Sequence, residues 1–244
     1  MNDQRLQGRV AVITGASSGI GEATARLLAA QGMQVVVVAR RSTRIEALAA
    51  ELGDNALAVT ADVADIEQVA RLFDQVRERF GGVDLLFNNA GVGINGTFAE
   101  SAPVDWKAQI DSNLMGVLHC THAAIPLMQG REGAMISTVS SVGGRHGVAG
   151  WAVYCATKFA VNGFHEALRK ELGEQGIRVS LIQPGAVWTE WGDKVPDDAM
   201  RSYRESLDAL HSEDVAQALL YSFAQPARVL VNEIVVRPVR QLLP

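Results

Sequence analysis

The stretch Arg9-Val10-Ala11-Val12-Ile13-Thr14-Gly15-Ala16-Ser17-Ser18-Gly19-Ile20-Gly21 decides the fold. A short apolar run ends in a glycine-rich turn and opens onto a segment with helical spacing, where Leu27, Leu28 and Gln31 follow Ile20 by seven, eight and eleven residues, close to whole helical turns. Glycines in such a turn let the backbone bend sharply and approach a ligand closely. The free amides and the dipole at the start of the following helix favour an anion, above all a pyrophosphate. Gly15, Ser17, Ser18, Gly19, Ile20 and Gly21 are therefore the candidate phosphate contacts.

Outward from this unit the pattern repeats. Strand-like runs recur at 34–39, 56–60, 84–88, 134–139, 177–183 and 231–237, after the first at 9–14. They lack the alternation of a half-exposed sheet and suit strands buried on both faces. Helical segments are expected at 20–31, 43–52, 66–79, 104–128 and 153–174, with Gly32, Gly53, Gly81 and Gly176 near their ends, where helices prefer to stop. Alternation of this kind predicts an α/β fold: a doubly wound (Rossmann) parallel sheet of about seven strands with helices on both faces. No linker or repeat interrupts it, so residues 1–244 read as a single domain. Residues 185–209 break the rhythm with Trp188, Trp191, Pro196 and several charges, and an amphipathic helix is expected near the end of the segment. A flap over the substrate is the expectation there, because ligands in such sheets sit beyond the carboxyl ends of the strands.

The bulk chemistry narrows the function class. A formal charge of −5, from 22 Lys+Arg against 27 Asp+Glu, argues against a nucleic-acid partner. No apolar stretch approaches the ~20 residues of a membrane span, and the first residues carry no signal pattern, so no membrane association and a cytoplasmic location are expected. Cys120 and Cys155 have no metal or disulfide spacing and read as buried, reduced thiols, and His122 and His165 read as ordinary helix residues; no metal is expected.

The second strand selects the dinucleotide. An acidic residue at its end would hold the ribose hydroxyls of NAD, but here Ala39 is followed by Arg40 and Arg41. No carboxylate stands there to repel a 2′-phosphate, and a guanidinium grips such a group well. The expected cofactor is NADP, as NADPH.

Further motifs follow in order. Asp62-Val63 comes after the third strand, and Asn88-Asn89-Ala90-Gly91 after the fourth. Asn113 lies in the long helical segment, and Ser141 stands thirteen residues before Tyr154. Tyr154-Cys155-Ala156-Thr157-Lys158 puts a phenol four residues before an amine, and Pro184-Gly185 with Val187 and Thr189 follows the sixth strand. Together with the glycine turn, these resemble the short-chain dehydrogenase/reductase family over essentially the whole chain. The resemblance implies that Asp62 and Val63 lie beside an adenine, that Asn89, Ala90 and Gly91 flank the cofactor, and that Pro184, Gly185, Val187 and Thr189 lie near the nicotinamide amide. It implies an oxidoreductase moving a hydride between NADPH and an aldehyde or ketone, or the reverse on an alcohol or hydroxy acid. Family members commonly form two-fold symmetric assemblies, so a homotetramer, or else a dimer, is expected. The two long helical segments would present Leu118, Ala123, Phe159 and Val161 among their outer residues.

The residue types suit this chemistry. A phenol near pKa 10 is a poor acid at neutral pH, and a cation one helical turn away, Lys158, lowers that value by stabilising the phenolate. Tyr154 is then the acid/base, and by the resemblance Lys158 also binds the ribose. The Ser141 hydroxyl orients the substrate oxygen, and Asn113 supports a water relay. Trp188 and Trp191, with Val142, His146 and Trp151, are expected as pocket walls for a hydrophobic or ring-containing substrate. Arg145 or His146 would meet a substrate carboxylate, or else be turn charges at the surface. The ending Val229–Pro238 lacks the GxxxxVDGG-like segment of many family reductases and is similar to the branch of 3-hydroxy-acid and serine dehydrogenases and clavulanate-type aldehyde reductases. The competing reading is a non-catalytic nucleotide-binding or regulatory protein of the same fold, which would not need the Ser141–Tyr154–Lys158 set.

Overall fold

The structure, a computed structural model, describes residues 5–191 and 197–242. Its centre is β1 (Val10–Thr14), paired in parallel with β2 (Gln34–Ala39) on one side and β4 (Leu85–Asn88) on the other. β3 (Ala56–Thr60) extends the sheet beyond β2, and β5 (Met135–Val139), β6 (Arg178–Pro184) and β7 (Glu233–Val236) extend it beyond β4. The resulting seven-stranded order is 3-2-1-4-5-6-7, with every pairing parallel. The chain winds outward from β1 to β3 and then returns to the other side at β4. The carboxyl ends of β1 and β4 therefore part at a crevice, where such sheets bind ligands.

Helices cover both faces of the sheet: α1 (Gly19–Ala30), α2 (Ser42–Leu52), α3 (Ile66–Phe80), α4 (Pro103–Ile110), α5 (Gly116–Met128), α6 (Ala152–Leu172), α7 (Asp197–Leu207) and α8 (Ser212–Phe223). Successive side chains of a strand point to opposite faces, and the two cores sort accordingly. Val10, Val12, Val36 and Val38 pack with Leu72, Phe73 and Val76 of α3 and with Cys120 and Met128 of α5. Ala11, Ile13, Val35 and Val37 pack with Leu28 of α1, Ile45 and Leu48 of α2, and Val215, Leu219 and Phe223 of α8. Each fully buried side chain of this size contributes about 1.5–3 kcal/mol, so the doubly covered centre is held more firmly than the sheet edges. Cys120 and Cys155 are both buried and unpaired with each other.

Several sequence expectations need correction. Burial on both faces holds for β1, β2 and β4, but β3 is mostly half-buried and β7 alternates exposed and half-buried residues, because an edge strand is covered on fewer sides. The segment expected as one helix at 104–128 is divided by a π-helical turn at Asp111–Met115, which no change of hydrophobic period announces. The α8 helix was not foreseen, whereas α7 is the helix expected near the end of the 185–209 segment. Residues 192–196 of that segment, Pro196 included, lie outside the described residues. Val161, expected on an outer face, is wholly buried against Val117 and Leu181, and Ala123 packs against the core; Phe159 is exposed. Among the described residues, no helix is long and apolar enough to cross a membrane.

A buried arginine joins the sheet to α8. Arg178, the first residue of β6, donates through Nη1 to the carbonyls of Ser222, Gln225 and Val229 at 3.3–3.4 Å. Through Nη2 it reaches Gly133 at 2.7 Å and Phe223 at 3.0 Å. Burial pushes this guanidinium down to about 10. The carbonyls at the carboxyl end of α8 thus take their donors from a strand. Arg178→Ala is expected to cost about 3 kcal/mol by leaving buried acceptors unpaired. Thermal unfolding should show this as a fall in Tm of about 6–12 °C for a chain of this size.

Candidate active site

The crevice at the β1/β4 switch point is closed by a cross-loop clamp. The Thr14 hydroxyl accepts from the backbone N–H groups of both Asn89 and Ala90 at 3.0 Å. In return, the Asn89 side-chain amide donates to the carbonyls of Thr14 and Gly15 at 2.9 and 3.2 Å. Gly15 turns with φ +66°, and a Cβ there would stand 2.8 Å from Ala90 Cα, so both conformation and space require glycine. A Cβ on Gly21 would fall 2.4 Å from the Gly15 carbonyl oxygen. Gly21 therefore packs beneath the turn, whereas Gly15, Ser17, Ser18, Gly19 and Ile20 line the cavity above it. The cavity has a volume of about 850 Å³, in the range of cofactor and ligand sites.

One end of the cavity is basic. Arg40, Arg41, Asp62 and Val63 line it. Arg41 lies across the turn, donating to Ser17 Oγ at 2.9 Å and Ser18 Oγ at 2.6 Å. Arg40 is mostly exposed and meets Asp62 only at 3.7 Å. Sequence reasoning missed Arg44, one turn into α2, which joins Arg41 in binding the carboxylate of Glu190.

The other end holds the phenol. Ser141 opens a short 3-10 turn after β5, and its Oγ accepts from Gly143 N–H at 3.0 Å. Tyr154 and Lys158 stand one turn apart on α6, and Ser141 hydrogen-bonds the Tyr154 hydroxyl. The Lys158 Nζ lies 5.7 Å from the Tyr154 ring centroid and donates to the Val139 carbonyl at 2.7 Å. Tyr154 is half-buried and lines the cavity. That burial raises the phenol above its ordinary value, and the Ser141 hydrogen bond opposes the rise. Burial also pushes the Lys158 ammonium down to about 8. Lys158 takes no part in this balance: its Nζ is turned to the Val139 carbonyl and lies 5.7 Å from the centre of the Tyr154 ring. Two residues that the sequence did not single out fix this corner: Ser140 donates to Asn162 Oδ1 at 2.6 Å, and Asn162 donates back to the Gly144 carbonyl at 2.9 Å.

Asn113 sits in the π-helical turn, fully buried behind the cavity wall. Its amide donates to the Val92 carbonyl and to Thr157 Oγ1, and its oxygen accepts from Val92 N–H. It ties the loop after Gly91 to α6 without lining the cavity. Asn89, Ala90, Gly91, Pro184, Gly185, Val187 and Thr189 all line it.

The segment after β6 forms the cover. Trp191 stacks on Trp151, with centroids 5.0 Å apart and planes at 14°, and tilts over Tyr154 at 4.9 Å. It fits because residue 93 is glycine; a Cβ there would fall within 2.0 Å of the indole. Trp188, expected as a second wall, does not line the cavity. Val187 bridges to Leu210, and Trp188 lies beneath the Arg204 guanidinium, off the cavity that Val187, Thr189, Glu190 and Trp191 line. His146 is exposed and also stands outside the lining, and Arg145 pairs with Glu233 at 2.8 Å, whereas Val142 and Trp151 do line the site. Met200, Tyr203 and Arg204 of α7 add walls that were not foreseen, since only the folded chain returns α7 to this place. Among the described residues, no group of three or more His, Cys, Asp or Glu is placed to hold a metal ion.

Comparison with known proteins follows the same lines. A family profile described as short chain dehydrogenase matches residues 9–199. An uncharacterised oxidoreductase of Staphylococcus saprophyticus is 37% identical over 238 residues, covering 96% of this chain and 99% of the relative. The closed form of a serine dehydrogenase complexed with NADP+ superposes with a TM-score of 0.89 at 32% identity, covering 93% of each chain. A short-chain dehydrogenase/reductase from Burkholderia phymatum in complex with NAD gives 0.83 at 32% identity, covering 94% of this chain and 89% of its own.

The packing of Trp191 on the Tyr154 ring has a measurable consequence. Trp191→Ala readmits water and should bring the phenol down toward its ordinary value of about 10. Absorbance titration of this variant near 295 nm, against a Trp191→Ala/Tyr154→Phe reference, would show the shift; an unchanged, strongly raised phenol would mean that other groups enclose it.

Proposed function

The chain belongs to the short-chain dehydrogenase/reductase family and is an oxidoreductase using a nicotinamide dinucleotide, and from that premise we propose that it is an NADPH-dependent reductase of aldehydes or ketones. The same site would run in reverse on an alcohol or hydroxy acid. The observation that carries this reading is the common cavity, in which a glycine turn and an arginine cluster stand at one end and Ser141, Tyr154 and Lys158 at the other.

The turn at 15–20 fits a pyrophosphate: its glycine conformations, the start of α1 and two serine hydroxyls face the same space. Ala39 in place of a carboxylate, with Arg40, Arg41 and Arg44 near the end of β2, supports a 2′-phosphate and hence NADP over NAD. When bound, the dinucleotide supplies the hydride. Pro184, Gly185, Val187 and Thr189 would flank its nicotinamide end, Asn89, Ala90 and Gly91 the stretch before it, and Asp62 and Val63 the adenine.

In this reading Tyr154 donates its proton to the carbonyl oxygen as the substrate becomes an alcohol. The raised phenol suits that role, because it keeps the proton until an alkoxide develops. Ser141, already bonded to the Tyr154 hydroxyl, orients the substrate oxygen beside it. The Lys158 ammonium stabilises the phenolate left behind and binds the ribose. Asn113 positions the loop after Gly91 against α6 and supports the water path that returns a proton toward Lys158. Trp151 and Trp191 would exclude water and favour a hydrophobic or ring-bearing substrate. Exposed Val104, Ile110, Met115 and Phe159, on α4, the π-helical turn and α6, support assembly as a homotetramer, with a dimer as the alternative.

Three substitutions separate the roles. Tyr154→Phe keeps the ring and is expected to bind NADPH normally while losing at least ~10²–10⁴-fold in turnover. Lys158→Ala should lose comparable activity and also weaken NADPH binding, whereas Ser141→Ala should lose turnover with NADPH affinity kept. Near-normal carbonyl reduction by folded Tyr154→Phe, followed by NADPH absorbance, would refute the assignment.

The pH profile gives a second check. Lys158 carries its charge below about 8 and loses it above. Reduction needs both the charged amine and the protonated phenol, so kcat/KM should fall as pH rises through that value. Lys158→Arg, which stays charged, should push this limb of the profile to higher pH in whatever activity it retains.

A further inference from the structure

The basic end of the cavity already holds an anion belonging to the protein. Glu190 lies between Thr189 and Trp191, on the segment that leaves β6 and covers the site. Its Oε2 accepts from Arg41 Nη1 at 2.8 Å, and its two oxygens accept from Arg44 Nη1 at 2.9 and 2.8 Å. All three Arg41 nitrogens are thus engaged, since Nε donates to Ser17 Oγ and Nη2 to Ser18 Oγ. Of the three arginines, Arg40 alone lies away from Glu190, with a side chain 69% exposed.

We propose that Glu190 occupies the cradle of the 2′-phosphate and competes with that phosphate for Arg41 and Arg44, so that this one carboxylate sets how strongly the protein prefers phosphorylated over unphosphorylated dinucleotides. The inference rests on the reading of the cofactor as NADP. Two anions cannot share one pair of guanidiniums without repelling each other at close range. A phosphate carrying nearly two negative charges displaces a carboxylate carrying one, but its gain is reduced by the ion pairs that it breaks. A dinucleotide without the phosphate leaves Glu190 in place, where it keeps Arg41 and Arg44 neutralised. The arginines hold the Glu190 carboxyl below the usual carboxylate range, Arg41 contributing most and Arg44 next, so the competitor remains charged at neutral pH. The pairs are only half-buried, with side-chain exposures of 46% for Arg41, 48% for Arg44 and 57% for Glu190, so the competition is moderate and weakens with salt.

The test compares two ligands that differ only in the 2′-phosphate. Binding of 2′,5′-ADP and of 5′-AMP is measured by calorimetry at low salt for the natural protein and for Glu190→Gln, an exposed substitution that keeps the side-chain shape. The expected result is that Glu190→Gln binds 2′,5′-ADP about three- to ten-fold more tightly. Its affinity for 5′-AMP should be unchanged, so the selectivity ratio rises, and added salt should shrink the difference. If the natural protein prefers 2′,5′-ADP but the ratio in Glu190→Gln is unchanged or lower, Glu190 is not a competitor and the proposal falls while the cofactor reading stands. If neither protein prefers 2′,5′-ADP to 5′-AMP, the NADP reading fails and takes this inference with it.

Discussion

The site depends on one polar contact at the point where the sheet reverses direction. Thr14 ends β1 and Asn88 ends β4, and the loops that leave these two strands are joined by the Thr14 hydroxyl and the Asn89 amide. These groups satisfy backbone donors and acceptors that the end of a parallel ladder leaves unpaired, which is costly in a buried place. They also fix the width of the crevice. Gly15 and Gly21 fit because this clamp brings the two loops to within van der Waals distance, where no Cβ can be accommodated.

From that fixed floor, the two ends of the cavity work by opposite electrostatics. At the basic end the groups remain partly solvated: Arg41, Arg44 and Glu190 are roughly half exposed, so their attractions are screened and exchangeable. At the phenol end solvent is removed. Burial makes the Tyr154 proton harder to lose and the Lys158 proton easier to lose, which drives apart two groups of nearly equal ordinary acidity. The segment after β6 bears on both ends, because Glu190 and Trp191 are consecutive and reach the arginines and Tyr154 respectively. A short piece of chain thereby spans the distance between dinucleotide recognition and proton transfer.

The rigidity that holds these parts in register comes from side chains with no part in the chemistry. Ser140 and Asn162 tie the Ser141 turn to α6, and Asn113 ties the loop after Gly91 to the same helix. Arg178 anchors the carboxyl end of α8, the helix whose apolar face packs with α1 and so backs the start of the phosphate turn. Each is a polar group within or beside the core bonded to backbone carbonyls or side chains of distant elements, which fixes geometry, although Arg178 leaves its Nε without a partner.

Short-range patterning decides much of this protein. The apolar run before Gly15, the unbroken valines 35–38 and the glycines at helix ends depend on neighbours within a few residues, so they could be read from the chain, and with them came the parallel sheet and the phosphate turn. The spacing of Tyr154 and Lys158 also places both on one helical face without any fold. Other features were decided only by folding, because they rest on groups far apart in sequence. Asn113 reads as a site residue but lies behind the wall, since its partners are Val92 and Thr157. Trp188 and Trp191 look equivalent in the chain, and only the folded structure sets one beneath Arg204, off the cavity, and lays the other on Tyr154. Glu190 carries no local signal at all. It meets arginines nearly 150 residues earlier, because the parallel sheet sets the ends of β2 and β6 on one edge and the segment after β6 reaches back along it, and the energy of an ion pair depends on distance through space rather than along the chain.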